Sequence, residues 1–201
     1  MRSFAAHVVA IGVAIATLTA AAQQPQPGAG TDVYHVHFTK AAPGQAAALG
    51  KVLMTPDKTA PMPDHFLLLR HQEGDDWDYA VIQHLGQKAA IDAAPGPPGP
   101  ARNLRAWHND TFASGPSWSE FTREMGIGGK ANTANLVYVL GVFRPVPGHG
   151  DQLQKILDQP LPPDAKVQSG GVLLQHLEGG AWQFLTLTRY DSWQDLAADR
   201  T

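Results

Sequence analysis

Residues 68–77 read Leu-Leu-Arg-His-Gln-Glu-Gly-Asp-Asp-Trp, and residues 173–182 read Leu-Leu-Gln-His-Leu-Glu-Gly-Gly-Ala-Trp. The shared string is L-L-x-H-x-E-G-x-x-W at an offset of 105. Upstream, at an offset of 104, Val33-Tyr34 recurs as Val137-Tyr138 and Pro43-Gly44 as Pro147-Gly148. At the same offset Leu49, Lys51 and Leu53 recur as Leu153, Lys155 and Leu157. Thirteen identities in one order, with a single one-residue shift, mark an internal duplication.

Both copies carry the same run of elements around this string. Residues 33–38 and 137–142 are rich in β-branched and aromatic side chains and read as strands. Each Pro-Gly pair then opens an amphipathic helix. Leu153, Ile156 and Leu157 fall at i, i+3 and i+4, matched by Leu49, Val52 and Leu53. Prolines at 56, 61 and 63, and at 160, 162 and 163, end these helices. Two strands follow, at 66–72 and 77–85 in the first copy and 172–177 and 182–190 in the second, joined through the Glu-Gly turn. A second helix comes next, at 87–94 and 192–198, the latter opened by a Ser192–Asp195 capping box. No fourth strand is evident in either copy.

Between the copies, Pro95-Gly96-Pro97-Pro98-Gly99-Pro100 makes a stiff break. Residues 101–113 are predicted helical, with Leu104, Trp107 and His108 on one face, so His108 and Asp110 are expected to point apart. Ser117-x-x-Glu120 forms a capping box ahead of Phe121, and Gly126 is the expected stop. The expected order is a signal (1–22), a leader (23–31), a first repeat (32–94), a break with a helical insert (95–131) and a second repeat (132–201).

A duplicated β-α-β-β-α unit resembles the ferredoxin-like half of the dimeric α/β-barrel superfamily, to which the NIPSNAP, EthD-like and antibiotic-biosynthesis-monooxygenase families belong. The resemblance covers residues 33–94 and 137–198 and rests on element order and duplication. It implies an α+β fold in which two ferredoxin-like repeats pack sheet to sheet as a pseudo-dimeric α/β barrel. It also implies a cavity between the sheets that takes a small molecule. An oxygenase-like or isomerase-like activity, cofactor-free or haem-dependent, is the enzymatic alternative. The third alternative is an assembly protein whose sheet edges pair with another copy as a homo-oligomer.

Composition narrows the chemistry. The 201 residues include no cysteine, which excludes disulfides, thiolate metal sites and a cysteine nucleophile. The formal net charge of −3 excludes a strongly basic surface and argues against nucleic acid as a partner. Arg2 followed by a 15-residue run of apolar and small residues (8–22) reads as an export signal, with Ala20-Ala21-Ala22 before the cut at Gln23. That run is short of the about 20 apolar residues a membrane span requires. The expected location is therefore periplasmic or secreted, with no membrane association after cleavage; an uncleaved anchor is the alternative.

Strand alternation then sorts the candidate site residues. Tyr34, Val36 and Phe38 share the more apolar face of the first strand, which is expected to meet the helices. His35 and His37 share the other face and are expected to line the barrel. With them are expected Arg70, Tyr79, Gln83, Gln175, Thr186 and Thr188 as ligand-binding residues, together with Trp77 and Trp182. His35 and His37 are the catalytic candidates, either as a general base or as metal or haem-iron ligands. Pocket-lining polar residues and structural or surface histidines are the alternative readings of the pair. A metal site would need a third ligand from His84, His108, Asp110 or Glu120. The pairs His71/His176, Glu73/Glu178 and Trp77/Trp182 recur in both copies and read as structural. No serine elbow, P-loop or zinc-protease helix is present.

Overall fold

The computed structural model describes residues 32–86, 99–128, 133–159 and 167–199. The predicted signal, leader, 87–94 helix and most of the Pro-rich break lie outside the described residues. The element order is β1 (Asp32–Ala41), α1 (Ala46–Leu53), β2 (Phe66–Arg70), β3 (Tyr79–Gly86), β4 (Arg105–Gly115), α2 (Trp118–Glu124), β5 (Val137–Phe143), α3 (Gly150–Leu157), β6 (Gln168–Gly179), β7 (Phe184–Tyr190) and α4 (Trp193–Asp199). The strands form one curled, seven-stranded antiparallel sheet ordered β2-β3-β1-β4-β6-β7-β5. The fold class is α+β.

The punctuation residues act where the sequence places them. Gly44 and Gly148 take positive φ ahead of α1 and α3, a conformation that carries no steric penalty in glycine. The backbone N–H of Glu120 donates to Ser117 Oγ at 3.3 Å, and Gly126, with φ of 62°, follows α2. The backbone N–H of Asp195 donates to Ser192 Oγ at 3.2 Å to open α4.

The insert differs from its sequence reading. Residues 100–104 form one 3-10 turn, and the expected helix over 101–113 is replaced by β4. β4 is a fourth strand hydrogen-bonded into the same sheet as β1, β2 and β3, which the sequence did not reveal. It pairs with β1 from Asp32↔Gly115 to Ala41↔Arg105, giving the free edge of β1 a full ladder. Local helical spacing loses to this long-range pairing. On its other edge β4 pairs with β6 from Thr111↔Gly179 to Ser114↔Gln175, joining the two halves.

The faces are also reversed. Tyr34, Val36 and Phe38 do not pack under α1 or α4; the helix that reaches them is α2, whose Phe121 stacks on Tyr34 with ring centroids 5.2 Å apart. They join Leu67, Leu69, Ala80, Ile82, Val172, Leu174, Leu185 and Leu187 in one core shared by both halves, sealed by Phe121 and Met125 from α2. The opposite face receives α1 and α4: Leu49 of α1 packs with Ala41, Tyr79 and Ala101, and Leu196 of α4 with Val137 and Tyr190. The most apolar face goes to the largest desolvated volume, and that lies inside the curl rather than under an eight-residue helix.

Gly170 of β6 marks the closest approach of α2 to the second half. A Cβ there would collide with the Glu124 backbone carbonyl, whereas one at Gly171 meets only the Leu187 carbonyl oxygen at 3.8 Å. Backbone cannot swing aside as a side chain does. Gly170→Ala is therefore expected to destabilise the protein by about 1–3 kcal/mol, and Gly171→Ala to change stability far less. Urea denaturation of the two variants checks this; equal midpoints would contradict the packing of α2 on β6.

Candidate functional site

The richest polar cluster stands on the helix-side face of the β1–β4 ladder. His37 lies directly opposite Asp110, and His35 opposite Phe112. Residues opposed in an antiparallel ladder share a face, as do residues two apart on one strand. His35, His37, His108 and Asp110 therefore all project together. His35 Nε2 and His37 Nδ1 both reach Asp110 Oδ1, at 2.9 and 2.6 Å. His108 Nε2 lies 3.1 Å from Asp110 Oδ2. The expectation that His108 and Asp110 point apart is thus corrected: it assumed a helix, and a strand brings i and i+2 onto one side.

The rings are held from behind. His35 stacks on Phe112 with centroids 5.1 Å apart, and His37 on His108 at 5.4 Å. Arg105 Nη1 is 3.3 Å from His37 Nε2. A guanidinium only donates, so Nε2 accepts and the His37 proton sits on Nδ1, donated to Asp110. Burial of His37 pulls its pKa below the ordinary value, with Arg105 and His35 acting the same way against the opposing pull of Asp110. For Asp110, burial pushes upward, but the hydrogen bonds from His35 and His37 outweigh it and hold the carboxylate well below its usual range. The cluster is an ionised carboxylate ringed by imidazoles.

The remaining predicted site residues are not gathered around a common cavity. The Tyr79 hydroxyl donates to the Ala46 carbonyl at 2.9 Å, under α1. The Gln83 amide donates to the Met62 and His65 carbonyls at 2.6 and 3.1 Å. Thr186 and Thr188 alternate with the core residues Leu185 and Leu187 and so face the other way; Gln175 sits opposite Phe184. Arg70 is exposed at the end of the edge strand β2. The repeated His and Trp make ring contacts in both halves: His71 on Trp77 at 4.2 Å and His176 edge-on to Trp182 at 6.0 Å. Both tryptophans pack against the shared core.

On the opposite face of β1 from the histidines lies a cleft of about 780 Å³ between the edge strands β2 and β5. Phe38, Leu67, Leu69, Trp77, Tyr138 and Leu140 line it, with Arg70 among the residues that border it. The Tyr138 hydroxyl donates to the Met125 carbonyl at 2.7 Å, and burial pushes its pKa up to about 12. It is therefore a fixed neutral donor to the protein.

A second histidine pair was missed as a unit because its members are 19 residues apart in sequence. His84 Nε2 lies 2.9 Å from Asp32 Oδ2, which also accepts the Trp118 backbone N–H. With that Nε2 proton donated, His84 Nδ1 accepts from His65 Nδ1 at 3.0 Å. Both rings stack on Trp118, tying β1, β3 and α2 together.

No family model matches the chain, and no curated protein or solved structure matches it either.

Burial pulls the His84 pKa below its ordinary value, reinforced by His65 and opposed by Asp32. The unfolded chain then takes up a proton near the ordinary histidine range, about 6.5, where the folded chain does not. The stability contribution is present above that range and is lost as pH falls through it. The melting temperature is expected to drop between pH 7.5 and 5.5, and to drop less in His84→Gln, measured by circular dichroism. Identical drops in both proteins would remove His84 as the cause.

Proposed function

We propose that the protein is an exported small-molecule-binding protein whose apolar ligand lies in the cleft between β2 and β5. The observation that carries this reading is the cleft itself: about 780 Å³, floored by core aliphatic and aromatic side chains and flanked by two strand edges. That volume falls within the range of ligand pockets, and the apolar floor is rimmed by the polar side chains of Arg70, His71, Gln72, Glu73 and Asp75. The export assignment rests on residues 1–22.

The same reading takes the chain as two fused ferredoxin-like repeats. The order β4-β1-β3-β2 matches the four-stranded unit, and β6-β7-β5 repeats three of its places. In the second half, a counterpart of β4 would lie between β5 and β2. Among the described residues no strand occupies that place, and the cleft opens there. The cleft is thus the vacant seam of a pseudo-dimeric barrel, with the shared core as its floor.

His35 and His37 lie on the far side of β1 from this cleft. Ligand binding is therefore expected to be independent of them. Binding of a neutral apolar fluorescent dye such as N-phenyl-1-naphthylamine, followed by dye emission and tryptophan quenching, tests the proposal. Leu140→Arg, in the cleft, is expected to weaken binding about tenfold or more, equivalent to about 1.4 kcal/mol. Leu177→Arg, exposed on β6 away from the cleft, and His35→Gln are expected to leave it unchanged. Equal affinity in Leu140→Arg and wild type would overturn the reading.

A further inference from the structure

We propose that His35, His37 and Asp110 form a binding site for a divalent transition-metal ion of the zinc and cobalt class. The three side chains offer two imidazole nitrogens and one carboxylate oxygen, all within 4.8 Å of one another. Two imidazoles with one carboxylate suit borderline first-row cations, and three protein ligands leave further positions open to water.

The geometry is close to what a metal needs. Donors held tetrahedrally at about 2.0–2.2 Å from one ion lie about 3.3–3.6 Å apart. His35 Nε2 to Asp110 Oδ1, at 2.9 Å, and His37 Nδ1 to the same oxygen, at 2.6 Å, are hydrogen-bond spacings that open by roughly half an ångström to one ångström when an ion replaces the shared protons. The nitrogen–nitrogen edge closes by rotation of His35, whose side chain is 30% exposed and turns against the Phe112 ring on which it stacks. The frame does not have to move, because the ladder fixes His37 opposite Asp110 and Phe112 backs the His35 ring. The Asp110 side chain is 41% exposed, so an ion reaches it from solution. His108 on Oδ2 supports the carboxylate from outside the ligand set, the role that hydrogen-bonded partners play around metal ligands.

Arg105 opposes the ion, and this gives the proposal its sharpest consequence. A neutral histidine that binds through Nδ1 carries its single proton on Nε2. His37 must therefore move its proton from the nitrogen facing Asp110 to the nitrogen facing Arg105. His35 likewise moves its proton from Nε2 to Nδ1. No net proton is lost, but Arg105 loses its acceptor and its charge faces a cation. Removing that guanidinium should tighten binding.

The test uses the full chain, treated with chelator and titrated with Zn²⁺ by calorimetry and with Co²⁺ by visible absorption. The expected result is one ion per chain, with Co²⁺ d–d bands of nitrogen and oxygen ligation and a rise in melting temperature on adding Zn²⁺. His35→Gln and Asp110→Asn are expected to weaken binding about tenfold or more. Arg105→Gln is expected to tighten it, and His149→Gln, on the exposed turn before α3, to change nothing. Failure to bind either ion stoichiometrically would overturn the proposal. So would binding that survives His35→Gln unchanged, a variant at a half-buried position outside the hydrophobic core that spares the fold even if Asp110→Asn does not.

Discussion

The structure depends on β4 being hydrogen-bonded along both edges. Among the described residues it is the strand that joins the halves: β1 on one side, β6 on the other. Without it each half would present a three-stranded sheet with an unpaired edge against water. With it, Tyr34, Val36 and Phe38 face Val172, Leu174, Leu185 and Leu187 across a single core. The pairing with β6 runs only over residues 111–114, whereas the pairing with β1 runs the length of the strand. Residues 106–109 therefore keep one edge open, and they and the adjoining Asp110 are exposed. The partial pairing that binds the halves is also what leaves the carboxylate accessible.

The duplicated hairpin turn contributes differently in each copy. Gly74 and Gly179 both take positive φ, as the shared Glu-Gly turn requires. In the first copy a Cβ at Gly74 would meet only the His71 ring, at 3.5 Å. In the second copy Gly179 sits against the Asp110 carbonyl so closely that a Cβ would collide with it, and the Gly180 N–H donates to the same carbonyl at 3.1 Å. One repeat's turn thus fixes the backbone of the other repeat's cluster. The string that reveals the duplication is also part of what holds Asp110 in place.

The legible parts of this fold are those whose signal is local. Strands at 33–38, 66–72 and 137–142, the Pro-Gly helix starts and the two capping boxes all follow from short-range chemistry. β4 was not legible because its first half carries Arg105, Trp107, His108, Asn109 and Asp110, with no apolar alternation to mark a strand. Its partner β1 supplies the pairing from about 75 residues away in sequence. The sorting of faces failed for a related reason. Thr39 is fully buried and His37 nearly so, making β1 covered on both sides, and alternation alone does not say which side meets a helix. His35-x-His37 on one strand face was readable from period two. Asp110 as their partner was not, since that requires the register.

Both candidate sites hang from opposite faces of the same strand. Phe38 borders the cleft while its neighbour His37 holds Asp110. Because side chains alternate strictly, a one-residue slip of β1 would turn the aromatic residues out and the histidines into the core. The register is pinned by the cost of that exchange: two imidazoles buried without partners against three large apolar side chains exposed to water. The two faces share no side chains, so any influence of one site on the other must pass through the β1 backbone and its ladder to β4. The Thr39 hydroxyl, which donates to the Trp107 carbonyl at 3.1 Å, stiffens that ladder just beyond Phe38. A strand so tied on both sides transmits little strain. Such a ladder favours two sites that work side by side over one site assembled across the sheet.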